Sequence, residues 1–321
     1  MSYSVKHQRN HHDILVTAYS NPDLDGTACM IAYAEFLQKD GYSATAVLCG
    51  VPHREAQFVF ETFNIVFPED ADSFLIKDAQ VVLVDASDVN GISNAIHPLQ
   101  VIELIDHRKI NQADRFPNAK IQIELVGAAA TLIAEKFASY HIDISPHSAA
   151  LLYSAIISNT VNFQAGVTTG RDKKMAGWLL KKFKRPRDYI HRMFTYKSTL
   201  TQPIAEIIEQ DFATFDFNHR KVGIGQLEIL HVDEFIKSHS INIEKALVKI
   251  KKKKLLDIIF LSTIDVEKAN TTFIIVDNVS KELLEKTLRI SFKKGIAQKK
   301  GILMRKSIVH LLKQSLAETT Q

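Results

Sequence analysis

The chain has 321 residues, of which 46% are apolar and 24% charged, the profile of a folded globular protein long enough for two domains. No apolar run reaches the length of a bilayer span, and residues 1–12 are polar and histidine-bearing without the apolar core of a secretory signal, so a cytoplasmic protein is expected. Only Cys29 and Cys49 are present, which excludes a disulfide framework or a multi-thiolate zinc site, and a net charge of +4 is too small to imply a nucleic-acid partner.

The first half alternates short β-rich runs with helical stretches, the pattern of a parallel sheet flanked by helices. Ile14-Leu15-Val16-Thr17-Ala18 reads as the first strand, and residues 27–39 as the helix after it, ending near Gly41. A strand at 44–48 and a helix at 54–63 follow. The continuous apolar runs Val81-Val82-Leu83-Val84 and Val101-Ile102-Glu103-Leu104-Ile105 read as strands buried on both faces, each followed at once by Asp. Helices are then expected at 128–140, 147–158 and 171–182. Residues 181–197, basic and without a clean apolar period around Arg185-Pro186-Arg187, mark the connection between domains. Beyond it, helices are expected at 203–212, 232–250 and 281–290, strands at 222–229, 257–264 and 272–276, and an apolar close at 302–312. This second half is basic: residues 197–321 carry 21 Lys+Arg against 15 Asp+Glu, a net of +6, whereas residues 1–196 net −2.

In open α/β sheets, ligands bind where loops converge at the carboxyl ends of the strands. Asp23 and Asp25 follow the first strand, Asp85 follows the run 81–84, and Asp106 with His107 follows the run 101–105. Carboxylates gathered in this way repel one another unless cations lie between them, and divalent metal is the economical explanation. An oxygen-rich set with one His favours manganese or magnesium over zinc. Two such ions about 3.5–4 Å apart would clamp the oxygens of an in-line phosphoryl displacement. Taken singly, each piece also reads as a turn, a helix N-cap or a strand-end cap.

Residues 14–175 resemble the DHH phosphoesterases, and within them the manganese-dependent (family II) inorganic pyrophosphatases and related exopolyphosphatases. Asn21-Pro22-Asp23-Leu24-Asp25 resembles the first family motif, Val84-Asp85 the second and Ile105-Asp106-His107-Arg108 the third. Residues 154–163, Thr168-Thr169 and Asp172 are similar to the stretch around the last metal ligand, and Gly301-Ile302-Leu303-Met304-Arg305-Lys306 to a phosphate-gripping segment of the second domain. The resemblance implies a parallel-sheet DHH domain with helices on both faces at 1–183, a linker at 184–200 and a smaller α/β substrate-binding domain at 201–321. It implies a hydrolase of phosphoric anhydrides, such as pyrophosphate or short polyphosphate, that uses two Mn2+ or Mg2+ ions and a metal-activated water. Asp23, Asp25, Asp85, His107 and Asn159 would be metal ligands, with Asp85 bridging. Asp25, His107 and Arg108 would be catalytic, and Arg108, Arg305 and Lys306 would hold substrate. An exposed edge strand would allow a homodimer; neither a membrane nor a nucleic-acid partner is expected.

Three positions depart from the family pattern. Tyr19 stands at its first-motif His, Arg108 at the second His of Asp-His-His, and Asn159 at its final Asp. Each proposed ion loses a ligand, which predicts looser binding, and Arg108 stays protonated and cannot deliver a proton as His does. Glu209-Gln210-Asp211-Phe212 falls near a substrate lysine of the pyrophosphatases. The alternatives are a catalytically impaired relative binding a phosphorylated ligand or protein partner, and an oligonucleotide or cyclic-dinucleotide phosphodiesterase; no glycine-rich nuclease segment supports the latter. His7, His11 and His12 read as a solvated terminus, and Lys251-Lys252-Lys253-Lys254 as a solvated helix end.

Overall fold

The computed structural model describes residues 14–71, 79–199, 202–217 and 220–317; His7, His11 and His12 lie outside them. The chain forms two compact units. One runs to Asn159 and resumes at Thr169–Pro186, and the other comprises Thr160–Thr168 and the chain from Arg187 onward.

The first unit is built on β1 (Ile14–Thr17), β2 (Ala44–Leu48), β3 (Glu69–Asp70), β4 (Gln80–Val84), β5 (Val101–Asp106) and β6 (Lys120–Ile123). Among the described residues these make one all-parallel sheet in the order β3-β2-β1-β4-β5-β6. The chain works outward from β1 to one edge, then returns to pair β4 on the other side. The crevice that opens at such a reversal lies between β1 and β4, at their carboxyl ends. The buried positions of β1, β4 and β5 pack Leu15, Val81, Leu83, Val101 and Leu104 into a core with Val47 and Phe116. The helices are α1 (Leu24–Lys39), α2 (Arg54–Phe63), α3 (Ala129–Ser139), α4 (Pro146–Asn159) and α5 (Gly170–Leu179). Helix α1 begins at Leu24, earlier than the expected 27. Asp23 is its N-cap and accepts the Gly26 N–H at 3.0 Å, so the motif read as a turn is already the first helical turn.

The second unit contains α6 (Tyr189–Ser198), α7 (Ile204–Gln210), β7 (Phe212–Phe217), β8 (Arg220–Ile229), α8 (Val232–Lys254), β9 (Ile258–Asp265), β10 (Asn270–Ile275), α9 (Asn278–Leu288), β11 (Ile296–Lys300) and α10 (Arg305–Ala317). Its sheet runs β11-β10-β9-β8-β7, antiparallel except where α8 carries the chain from β8 to a parallel β9. The period of two in β9 divides the core. Ile259 and Leu261 face Ile208, Leu247 and Ile250 of α7 and α8, while Ile258 and Phe260 face Leu284 and Leu312 of α9 and α10.

Two expectations need correction. The segment read as a linker, 184–200, holds α6, whose Tyr189, Met193 and Phe194 are buried; the basic residues between them hid this spacing. Strands β3, β6, β7 and β11 are not among the expected ones, since each is an edge strand with polar or partly exposed positions instead of a buried apolar run. No helix among the described residues is long and apolar enough to cross a membrane.

Candidate active site

The loop after β1 is held open by two backbone features. Asn21 adopts φ 55°, gives its N–H to the Cys49 carbonyl at 2.8 Å and accepts the Val51 N–H on Oδ1 at 2.9 Å. Gly50 answers it at φ +81°, and a Cβ there would lie 2.5 Å from Asn21 Oδ1, so only glycine fits. Asp85, at the end of β4, is also left-handed, at φ 51°, and is tied by its N–H to the Ile105 carbonyl at 2.8 Å. Left-handed backbone in a residue with a Cβ costs about 1–2 kcal/mol and persists where the surroundings enforce it, here at a strand end facing the crevice.

These backbones bring Asp25, Asp85 and His107 together. One ligand atom of each lies within 4.8 Å of the others, and all three residues are buried. His107 Nε2 is 3.4 Å from Asp85 Oδ1 and 3.8 Å from Asp25 Oδ2. Its Nδ1 lies 3.0 Å from the Val126 carbonyl. A carbonyl only accepts, so Nδ1 carries the hydrogen, and in the neutral ring the Nε2 lone pair points at the carboxylates. Asp25 accepts the Ala129 and Ala130 N–H groups at the start of α3, at 2.8 and 2.9 Å. Burial, then the Asp85 charge, push the Asp25 carboxyl up to about 7 despite His107 and the Ala130 N–H. Burial, then Asp85 and Glu55, likewise raise Asp23. Acid thus crowds the Asp23 and Asp25 side of the cluster.

The three substituted positions each take part. Asn159 donates Nδ2 to Asp25 Oδ2 at 2.7 Å. The Tyr19 hydroxyl accepts the Asp23 N–H at 3.0 Å, and burial, then Asp23 and Asp85, push its phenol well up, so it is neutral. Arg108 donates Nη1 to the Asp85 carbonyl at 2.6 Å and to Asp106 Oδ2 at 3.2 Å, with Nη2 3.3 Å from Asp85 Oδ2. Asp106 also accepts its neighbour's N–H, from His107, at 2.6 Å, and the Ser87 hydroxyl.

Two further carboxylates support the cluster. Glu55 of α2 accepts the Ser158 hydroxyl at 2.6 Å and the Leu24 N–H at 3.4 Å, bracing the starts of α1 and the end of α4. Glu55 is not among the expected site residues; its signal in the sequence is an acid on the apolar stripe with Phe58 and Val59. Asp172, noticed only as part of a matching stretch, accepts from Gly127, Thr131 and Thr169. It thereby fixes the turn that carries Val126, Ala129 and Ala130.

Arg305 and Lys306 belong to the other unit, at the start of α10. The Arg305 N–H reaches Gln226 Oε1 at 2.5 Å, and its guanidinium pairs with Asp211.

Comparison with known proteins agrees with this architecture. The DHH family, N-terminal domain, matches residues 13–156, and the DHHA2 domain matches residues 191–314. The manganese-dependent inorganic pyrophosphatase of Methanocaldococcus jannaschii is 32% identical over 305 residues, covering 92% of this chain and 96% of its own. The chain belongs to the DHH family. Within the family it is similar to a second pyrophosphatase, the manganese-dependent enzyme of Bacillus subtilis, with 26% identity over 308 residues, 95% of this chain and 99% of that one. The crystal structure of a Methanococcus jannaschii protein described as a family II inorganic pyrophosphatase superposes with a TM-score of 0.80 at 31% identity, covering 95% of this chain and 99% of that chain. The two pyrophosphatase relatives from Methanocaldococcus jannaschii and Bacillus subtilis are named for manganese. The residues of this chain fit such a metal: two buried carboxylates and an imidazole nitrogen converge.

Proposed function

We propose that this DHH-family protein is a metal-dependent phosphohydrolase acting on pyrophosphate, short polyphosphate or a related phosphate anhydride. The convergence of Asp25, Asp85 and His107 carries the reading, and the relatives named as manganese-dependent inorganic pyrophosphatases support it. These three would hold Mn2+ or Mg2+, with Asp23 beside them and Asn159 orienting Asp25. A divalent ion there would neutralise phosphoryl charge and lower the pKa of a water for attack.

The chain's own groups set the geometry of that reaction. Val126 fixes the His107 ring, and the α3 N–H groups fix Asp25, so both present lone pairs without rearranging. Arg108, with N–H groups to spare, would contact substrate oxygens in the first unit, and Arg305 and Lys306 are the substrate-binding residues proposed in the second. A guanidinium does not give up its proton, so the leaving group must depart without help from Arg108. A phosphate leaves unaided far more readily than an alkoxide, which favours anhydrides over phosphodiesters.

The test is phosphate release from pyrophosphate and tripolyphosphate with Mn2+ and with Mg2+, beside Asp85→Ala. Metal-dependent release lost in the variant is expected; no release above that variant from either substrate would overturn the reading.

A further inference from the structure

Asp85 turns its two oxygens to two different partners. Oδ1 lies 3.4 Å from His107 Nε2, on the side shared with Asp25, and Oδ2 lies 3.3 Å from Arg108 Nη2. A carboxylate that bridges two metal ions offers one oxygen to each; here a side chain of this protein occupies the second place. The guanidinium is fixed there by the Asp85 carbonyl and Asp106 Oδ2, and it covers the Tyr19 ring at 5.3 Å. Tyr19 brings no charge to that side, and its oxygen already accepts the Asp23 N–H. A divalent ion on Asp85 Oδ2 would meet the guanidinium at contact distance, or would have to displace it from three oxygens.

We propose that Arg108 is a built-in cation taking the place of one divalent ion, so that the cluster holds a single ion on its Asp25, Asp85 and His107 face. The inference rests on the hydrolase reading only for the presence of a divalent ion. A guanidinium neither dissociates nor deprotonates, so this part of the charge compensation survives chelation.

Manganese bound per chain is measured on the full-length protein by equilibrium dialysis followed by elemental analysis, with electron paramagnetic resonance of the loaded sample. Wild type is expected to saturate at one ion per chain with the spectrum of an isolated Mn2+. Arg108→Lys, which keeps the charge, stays at one. Tyr19→His combined with Arg108→Gln, which removes the cation and restores an imidazole, rises to two with a spin-coupled signal. Wild type saturating at two coupled ions, or binding none, overturns the inference, as does a folded double variant that remains at one. Should that variant fail to fold, the wild-type stoichiometry still decides. Phosphate release by a two-ion wild type would sink this inference and leave the hydrolase reading standing; one bound ion without release would do the reverse.

Discussion

Asp211 holds Arg305 twice: Nη2 lies 2.5 Å from its Oδ1, and Nη1 donates to its main-chain oxygen at 2.8 Å. An acid therefore sits on the arginine expected to grip phosphate, close to where the related pyrophosphatases are expected to carry a lysine. Substrate bound there would have to compete with Asp211 for that guanidinium. Asp211→Asn removes the competing charge but keeps the main-chain contact, and should lower KM for pyrophosphate about fivefold, the equivalent of about 1 kcal/mol for a partly exposed ion pair. Arg305→Ala should raise KM instead. Steady-state kinetics on both variants check this, and an unchanged KM in both would assign Arg305 to folding alone.

Asp172 is wholly buried and takes hydrogen bonds from the Gly127 N–H at 3.0 Å, the Thr131 hydroxyl at 2.6 Å and both the N–H and hydroxyl of Thr169, at 2.6 and 2.7 Å. Asp172→Asn turns an amide N–H toward those donors, and a loss of about 3 kcal/mol in urea unfolding is expected. The turn it anchors also aims Val126 at His107 and Ala129 at Asp25. Supporting contacts of this kind typically carry 10–100-fold in metal affinity, so Mn2+ binding should weaken by roughly that factor. Undiminished Mn2+ affinity in the folded variant would show that the turn holds its shape without Asp172.

The parts legible in the sequence were those fixed by local pattern. The runs ending at Val84 and Ile105 could only be buried strands, and an acid after each placed Asp85 and Asp106 at strand ends. Edge strands such as β6 and β11 were not legible, because partly exposed positions carry no apolar period. Nor were the partners of the substituted residues. Asn159 meets Asp25, and Arg108 meets Asp85, across more than a hundred and more than twenty residues of chain respectively, contacts made by packing and not by spacing. Arg108, expected to be catalytic and to hold substrate, has a guanidinium that also serves Asp85 and Asp106.

Glu35 on α1 provides a pH test away from the site. Burial pushes its carboxyl up, but hydrogen bonds from Lys39, Ser145 and Ser148 outweigh this and leave it lowered. A carboxylate whose folded pKa is depressed binds fewer protons folded than unfolded. Its contribution is therefore present above the unfolded value, about 4.3 for Glu, and is lost as pH falls from there through the folded value. Glu35→Gln should cost about 1–2 kcal/mol near neutrality, and the gap from wild type should close below about pH 4. Denaturant melts across that range report it; a gap that persists in acid would trace the loss to geometry instead of charge.

Asn159 separates the demands of the metal-free site from those of the loaded one. Its Nδ2 donates to Asp25 Oδ2 at 2.7 Å, beside an Asp25 carboxyl already raised to about 7 by burial and Asp85. Asn159→Asp deletes that donor and sets a third acid against the pair. Without metal the variant should lose about 1–3 kcal/mol, the cost of leaving a buried charge without its donor. With metal the sign reverses, because a charged oxygen ligand binds a hard divalent ion better than an amide does. Mn2+ affinity should rise on the order of tenfold, and since the stabilisation grows as RT ln(1 + [L]/Kd), the Mn2+-induced gain in Tm should exceed that of wild type. Thermal melts of both proteins in chelator and in graded Mn2+ read the two effects in one experiment. A variant weakened in chelator but no more responsive to Mn2+ than wild type would mean that position 159 orients Asp25 and does not face the ion.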